Sequence, residues 1–278
     1  RYYGLDGVGI NPEGTVPQAS ALQDFFSQCR EYAESIDWQF HVYWYGTNTN
    51  DGYMDLGSSF QGGKQNWLWK NGKQVVDMYM LNYDWGGSAS RSTSYAKSIG
   101  ANPYTLYAGY DIQGNWLARG PWSTLKNTEM SIAFWGNHTT NMIYQNSSEF
   151  GSGDEAVQAC YLEKQEQVFS GGNRNPAKRP AIKDGISSSS EAAMNEFHGI
   201  AEYLPARSVL QELPFVTRFG LGNGKTFRNE GKVTFGNKWF NVGVQDYLPT
   251  WRWWITDDSN NVPEDGIECG FTYEDAWY

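Results

Sequence analysis

Short apolar runs that each end in polar or aromatic residues recur along the first half of this chain, and they constrain its fold more than any other feature. The five runs are Asp6–Asn11, Phe40–Tyr45, Val75–Asn82, Leu106–Asp111 and Ser131–Trp135. Their ends recur about every 30 residues, which is the length of a strand–helix unit. Such alternation predicts a parallel sheet with helices between the strands.

Two segments between these runs have the periodicity of amphipathic helices. Ser88–Ile99 is one of them, and Gly100 after it is a typical helix stop. The other is Gln18–Ser35, whose apolar residues recur at spacings of three and four; they are Leu22, Phe25, Phe26, Cys29, Tyr32 and Ala33.

Five strand–helix units with functional-looking residues at the strand ends predict the second half, strands 4 to 8, of a (β/α)₈ TIM barrel. In that fold the active site lies at the carboxyl ends of the strands, and we expect the remaining units before Arg1. An open doubly wound sheet is the alternative. It is disfavoured because no glycine-rich phosphate loop opens the first helix.

The pattern of residues changes after the fifth apolar run. Residues 146–207 are polar, with Gly-Gly at 171–172 and serines at 187–190, and they predict a surface excursion of a catalytic barrel portion spanning residues 1–207. Residues 208–278 predict the start of a truncated, β-sandwich-like region. Its short β-type runs are Phe215–Phe219, Lys232–Phe235, Trp239–Val244 and Trp251–Ile255.

Composition excludes several partners. The chain has 21 Lys and Arg against 31 Asp and Glu, a net charge of −10, which argues against nucleic acid as a partner. No run is apolar and long enough to span a membrane. The cysteines Cys29, Cys160 and Cys269 are too widely spaced for a metal cluster or a disulfide framework, and no cofactor is expected. The 13 Trp and 18 Tyr suit sugar binding, with an aromatic-rich core as the alternative.

The first run ends in Asn11 and Glu13, separated by Pro12. Residues i and i+2 of an extended chain project to the same side, so an amide and a carboxyl group are delivered side by side. A general acid with a fixed hydrogen-bonding neighbour needs this arrangement. On spacing alone, a polar strand end that enters a loop is an equally good interpretation.

The segment Tyr3–Glu13 resembles a strand of glycoside hydrolase family 85, the endo-β-N-acetylglucosaminidases, which typically reads Tyr-Gly-Phe-Asp-Gly-Trp, two apolar residues and Asn-x-Glu. Further segments resemble the family in the same order and cover nearly the whole chain. They are Trp44-Tyr45, Leu81–Trp85, Asn102–Asp111, Pro214–Gly224 and Gln245–Thr250.

The resemblance implies hydrolysis of the GlcNAc-β-1,4-GlcNAc core bond of N-glycans by a retaining, substrate-assisted mechanism. The 2-acetamido oxygen of the cleaved sugar attacks its own anomeric carbon and gives an oxazoline-like intermediate, outside the usual two-carboxylate scheme. By the same resemblance, Glu13 protonates the leaving oxygen and then activates water. Asn11 and Tyr45 bind the acetamido group.

The resemblance also suggests residues that contact the glycan: Trp85, Trp44, Asn82, Asp111 and Trp135. Core packing is the alternative for the tryptophans, and capping of a strand end is the alternative for Asn82. Asp6 belongs to the family motif and is expected to orient the site from deeper inside, with a partner, because an unpaired buried carboxylate is costly.

The chain departs from the family in three places, one of which is Pro12, where the family usually has a residue other than proline. Gly46 stands where the family commonly has Asp, and Thr47–Lys64 lacks the usual Trp-Gln-Asn pattern. These loops influence glycan preference, so the family's commonest substrate, high-mannose glycan, is an expectation only. The acidic, Asn-, Gly- and Ser-rich composition favours an extracellular or cell-surface bacterial enzyme, with a cytosolic enzyme as the alternative.

Two other functions compete with this one. A non-catalytic glycan-binding module would not need Glu13 beside Asn11. A chitinase-like enzyme usually has an Asp-rich Asp-x-x-Asp-x-Asp-x-Glu strand, and the comparable strand here has only Asp6 before Glu13.

Overall fold

The computed structural model describes residues 5–112, 119–136, 163–164, 166–175, 178–186, 191–204, 223–224, 226–237 and 239–240. The chain forms two compact units. One comprises Arg1–Arg174 and Arg179–Tyr203, and the other comprises Asn175–Lys178 and Leu204–Tyr278. The predicted boundary at residue 207 lies outside the described residues and stays a prediction.

A five-stranded sheet organises the first unit. All neighbouring strands are parallel, and their order in the sheet follows their order along the chain. This confirms the predicted α/β class, while the closed barrel stays a prediction. The strands are β1 (Gly7–Ile10), β2 (His41–Tyr45), β5 (Met78–Leu81), β6 (Leu106–Asp111) and β7 (Ser131–Trp135), with a hairpin of β3 (Trp69–Lys70) and β4 (Lys73–Gln74) between β2 and β5.

Helix α1 (Ala19–Ser35) connects β1 to β2 and buries a narrow stripe that includes Phe26 and Ala33. Phe25 and Tyr32 were expected on its apolar face, but they are 56% and 64% exposed. The spacing of three and four defines a wider stripe than the sheet covers, so only part of it is buried.

Helix α2 (Ala89–Ser98) connects β5 to β6 and ends at the predicted glycine. Gly100 has φ 84° and its N–H donates to the Lys97 carbonyl, while the next N–H, of Ala101, donates to the Ala96 carbonyl. These bonds satisfy carbonyls that the helix end would otherwise leave without donors.

The connection from β2 to β5 departs from strict strand–helix alternation. It contains a 3₁₀ turn at Gln65–Trp67 and then the β3–β4 hairpin. The hairpin turn is Asn71-Gly72, with φ 54° and 77°, and this pair favours the positive φ angles of a two-residue hairpin.

Many of the aromatic residues lie in the core of the first unit. The Trp44 ring stacks on Trp67 at 3.9 Å between centroids, and Trp122 of the short helix α3 (Trp122–Lys126) stacks on Tyr110 at 4.1 Å. A further short helix, α4 (Glu191–Asn195), brings Phe197 against Trp122. The aromatic content therefore supports packing to a large extent. No helix among the described residues is long and apolar enough to cross a membrane.

The described part of the second unit consists of antiparallel β-structure. Strand β9 (Phe227–Asn229) pairs with β10 (Lys232–Phe235), and β8 (Asn223–Gly224) pairs with β11 (Trp239–Phe240). The run Lys232–Phe235 is confirmed as a strand, and the run that begins at Trp239 is a strand over its first two residues. The runs Phe215–Phe219 and Trp251–Ile255 lie outside the described residues.

Candidate active site

One face of the parallel sheet carries five of the predicted site residues, at or just beyond the carboxyl ends of the strands. In the register, Gly9 pairs with Tyr43, Tyr45 with Met80, and Asp111 with Trp135. Side chains two residues apart share a face, so Asn11 follows Gly9 and Asn82 follows Met80 on that face. The residues that share it are Asn11, Tyr45, Asn82, Asp111 and Trp135.

Asn11 and Glu13 lie side by side, as their spacing predicts. The Asn11 Nδ2 donates to Glu13 Oε1 at 3.0 Å, and both side chains are exposed. The amide is therefore next to the carboxyl group, and both are accessible from solvent.

Thr47 and Asn48, two fully buried residues that follow β2, hold the backbone on both sides of Glu13. Thr47 Oγ1 donates to the Pro12 carbonyl at 2.7 Å, and Asn48 Nδ2 donates to the Gly14 carbonyl at 2.7 Å. Sequence reasoning did not identify these residues, because a Thr-Asn pair after a strand looks like any polar loop. They fix the position from which the Glu13 carboxyl group projects.

The Tyr45 hydroxyl donates to Asn82 Oδ1 at 2.8 Å. The same oxygen accepts the Tyr83 N–H at 2.9 Å, and Asn82 Nδ2 donates to the Leu56 carbonyl at 2.8 Å. Asn82, a candidate for contact with a sugar, is thus used to hold Tyr45 and the loop that contains Leu56.

The electrostatics connect Tyr45 with the acidic residues of the site. Burial is the largest cause that raises the pKa of Tyr45; the negative charges of Glu13 and Asp111 raise it further, and a hydrogen bond with Tyr83 opposes them. Burial also raises the pKa of Tyr83, with Tyr45 and Asp111 adding to it. Both phenols therefore remain protonated at neutral pH and can donate hydrogen bonds.

The tryptophans Trp44 and Trp85 lie in the core. Trp44 is fully buried between Trp67 and Phe26 of α1, because neighbours on a strand point to opposite faces and Tyr45 occupies the site face. Trp85 is fully buried, and its Nε1 donates to the carbonyl of Gly109 in β6 at 2.9 Å. Neither ring presents a surface to a sugar in this structure.

Asp111 lines a cleft of about 350 Å³ at the ends of β5 and β6, together with Tyr83, Arg119 and Pro121. Trp135, at the end of β7, is 40% exposed and is the candidate tryptophan with an accessible ring. Asp6, just before the edge strand β1, is exposed in this structure rather than buried. Tyr83 lies within the family-like segment Leu81–Trp85 but was not predicted as a site residue, and Arg119 lies outside those segments, where no spacing signal identified it.

Gly46 is required by its surroundings. A Cβ added there would lie 2.3 Å from the Tyr79 ring and 2.8 Å from the Met80 carbonyl oxygen. The Tyr79 hydroxyl donates to the Gly46 carbonyl at 3.3 Å. The buried Tyr79 ring thus fills the space that a side chain at position 46 would need, which accounts for one departure from the family.

We expect Gly46→Ala to lower the free energy of unfolding by about 1–3 kcal/mol, the usual effect of overpacking. Denaturant unfolding of the full-length protein measures it. Gly63→Ala is the matched control, since a Cβ at Gly63 meets nothing within 4 Å. Equal stability of the two variants would contradict the steric explanation.

Comparison with known proteins agrees with the fold and the motifs. Residues 1–227 match the sequence profile described as Glycosyl hydrolase family 85. None of the curated proteins compared with the chain matches it.

A solved structure, the glycoside hydrolase domain of Endo-D from Streptococcus pneumoniae R6, is similar to this chain with a TM-score of 0.66 and 24% identity. The match covers 91% of this chain and 38% of the Endo-D chain. The similarity shows a shared fold, and this chain spans less than two thirds of that protein.

Proposed function

The chain belongs to glycosyl hydrolase family 85, and we propose that the protein of which it is part is an endo-β-N-acetylglucosaminidase acting on N-glycans. The observation that carries this proposal is the pair Asn11 and Glu13, bonded at 3.0 Å at a strand end, on the face of the sheet that also holds Tyr45. An eight-stranded (β/α)₈ barrel that is completed outside the described residues belongs to the same proposal.

The chemistry follows from the residue types. Glu13, as the acid, gives its proton to the glycosidic oxygen while the bond from that oxygen to the anomeric carbon breaks. The acetamido oxygen of the substrate forms the new bond to the anomeric carbon. Ring closure gives an oxazolinium ion that keeps the N–H proton. Glu13, now a carboxylate, takes a proton from the water that attacks the anomeric carbon, and the ring reopens to the acetamide. The acid and the base are thus one residue, used twice.

Asn11 and Tyr45 hold the acetamido group in this proposal. Holding an internal nucleophile close to its target can contribute up to about 7–11 kcal/mol in ideal intramolecular reactions. Two neutral side chains do this without placing a second negative charge beside Glu13. The Tyr45 hydroxyl donates its one proton to Asn82 Oδ1, so its oxygen is left to accept a hydrogen bond from the acetamido N–H.

The activity is tested with the full-length protein and a high-mannose glycoprotein. We expect free glycan and a protein that keeps a single GlcNAc on each modified Asn, detected by mass spectrometry. Binding without cleavage would instead favour the glycan-binding module, and cleavage of chitin oligosaccharides alone would favour a chitinase-like enzyme.

We expect Tyr45→Phe to lower kcat by about 10²-fold, the usual effect of removing one preorganised hydrogen-bond partner of a developing charge. Phenylalanine keeps the ring and removes only the hydroxyl that bonds Asn82. Initial rates on a glycopeptide measure it. Tyr53→Phe is the control, because the Tyr53 side chain is exposed. Unchanged kcat in Tyr45→Phe would remove Tyr45 from the mechanism.

Two finer proposals concern substrate and location. High-mannose glycans are the proposed preference, and parallel assays on high-mannose and complex glycopeptides decide it. An extracellular or cell-surface location is also proposed, and fractionation of the source cells followed by immunodetection would decide between that location and the cytosol.

A further inference from the structure

Lys64 is a fully buried lysine whose ammonium group is surrounded by backbone carbonyls. Its side chain is 2% exposed, and Nζ donates to the carbonyls of Asp55 and Gly57 at 2.7 Å and of Gly46 at 3.3 Å. The Asp55 carboxylate lies 3.4 Å from the same nitrogen. Burying a charge is costly unless it is paired and hydrogen-bonded, so these contacts hold the loop of residues 55–57 firmly to the lysine.

The three carbonyls belong to the residues that place Tyr45. Gly46 follows Tyr45 directly in the chain. Asp55 and Gly57 flank Leu56, whose carbonyl accepts the Asn82 Nδ2 at 2.8 Å. Asn82 Oδ1 in turn accepts the Tyr45 hydroxyl at 2.8 Å. Lys64 therefore supports Tyr45 from two sides. It bonds Gly46, the next residue in the chain, and it bonds the residues on either side of Leu56, which holds Asn82.

We infer that Lys64 is a positioning residue for Tyr45: its ammonium group fixes the loop 55–57, which fixes Asn82, which fixes the direction of the Tyr45 hydroxyl. This inference rests on the proposed function, in which Tyr45 binds the acetamido group. Lys64 itself touches no substrate, because it is enclosed beneath Gly46 and the loop.

The charge of Lys64 is part of the arrangement. Burial lowers the pKa of Lys64, and the Asp55 carboxylate opposes this shift. Asp55 also accepts the Gly57 N–H at 2.8 Å through Oδ1, so the carboxylate closes the loop that the lysine holds. A neutral apolar side chain of the same length would remove the lysine donor from the Asp55 and Gly57 carbonyls and would leave the Gly46 carbonyl with the Tyr79 hydroxyl as donor.

The test is a double-mutant cycle in the full-length protein. Lys64→Met keeps the length of the side chain and removes the donors. We expect kcat to fall by roughly 10- to 100-fold, with a smaller change in KM, because removing the Tyr45 hydroxyl itself is expected to cost about 10²-fold. In a Tyr45→Phe background the same substitution should change kcat by less than about threefold, since residues acting through one another are not additive.

Lys70→Met is the matched control. Lys70 is also largely buried and also donates to a backbone carbonyl and a carboxylate, of Ser20 and Asp24, but it holds α1 rather than the strand ends. We expect its kcat to stay within about twofold of the parent, the range of additive effects at distant sites. If Lys64→Met does not fold, Lys64→Gln, which keeps an N–H donor, replaces it in the cycle.

The inference would be overturned if the kcat losses of Lys64→Met and Tyr45→Phe multiplied in the double variant. A kcat loss in Lys70→Met equal to that in Lys64→Met would overturn it as well. A parent protein without glycosidase activity would instead contradict the proposed function. A crystal structure of the Lys64 variant then decides separately: loss of the Tyr45–Asn82 bond supports the positioning role, and retention of that bond at 2.8 Å refutes it.

Discussion

Glu13→Gln is expected to lower the rate of glycan release by about 10²–10⁴-fold, the range for losing general acid–base catalysis, with the larger value favoured because one residue serves both steps. Glutamine keeps an oxygen in the position that accepts the Asn11 Nδ2 at 3.0 Å, so the local geometry is preserved. The carbonyls of Pro12 and Gly14 stay bonded to Thr47 and Asn48 as well. The substitution thus removes the transferable proton and little else.

The rate is measured on a glycoprotein substrate by the appearance of free glycan. Glu34→Gln is the control, because Glu34 is an exposed glutamate on α1. We expect the control to release glycan at the parental rate. Release by Glu13→Gln as fast as by the parent would show that the general acid lies elsewhere.

Asn11→Ala is expected to lower hydrolysis by about 10²–10³-fold, the usual effect of losing one preorganised hydrogen-bond partner of a developing charge. A preformed sugar oxazoline should still be accepted as a donor, because the bond that Asn11 helps to form already exists in it. The two rates are measured on the same preparation, with a glycopeptide for hydrolysis and the oxazoline with a GlcNAc acceptor for transfer.

Asn127→Ala is the matched control for Asn11→Ala. Both asparagines are exposed, and each donates one side-chain hydrogen bond at 3.0 Å, but Asn127 bonds the carbonyl of Ser123 in α3. Equal losses of hydrolysis and of oxazoline transfer in Asn11→Ala would refute the acetamido role and would indicate a general loss of substrate binding.

Much of the fold could be predicted because it depends on short-range patterns. The runs Leu106–Asp111 and Ser131–Trp135 are strands over their full predicted lengths. Each run combines apolar residues with a polar or aromatic end, and a parallel sheet buried by helices favours apolar runs of this kind. Helix α2 ends where Gly100 allows a positive φ, which is again a local property.

The candidate site was only partly predictable. The alternation of side chains along β2 could have separated Trp44 from Tyr45, since neighbouring residues on a strand face opposite ways. Whether a side chain such as Asp6 is exposed or one such as Trp85 is buried depends on which elements pack over it. The chain from β2 to β5 gave no periodic signal, and it contains the 3₁₀ turn and hairpin that bury Lys64 and Trp67.

The sequence by itself determined the parallel strands and the pairing of Asn11 with Glu13, because an i, i+2 spacing on an extended chain places two side chains together without help from the rest of the protein. Only the tertiary structure decided what surrounds that pair. Tyr45 and Asn82 are 37 residues apart, Thr47 and Pro12 are 35 apart, and Lys64 and Gly46 are 18 apart. Contacts across such separations are created when strands and loops pack, and no local pattern of residues encodes them.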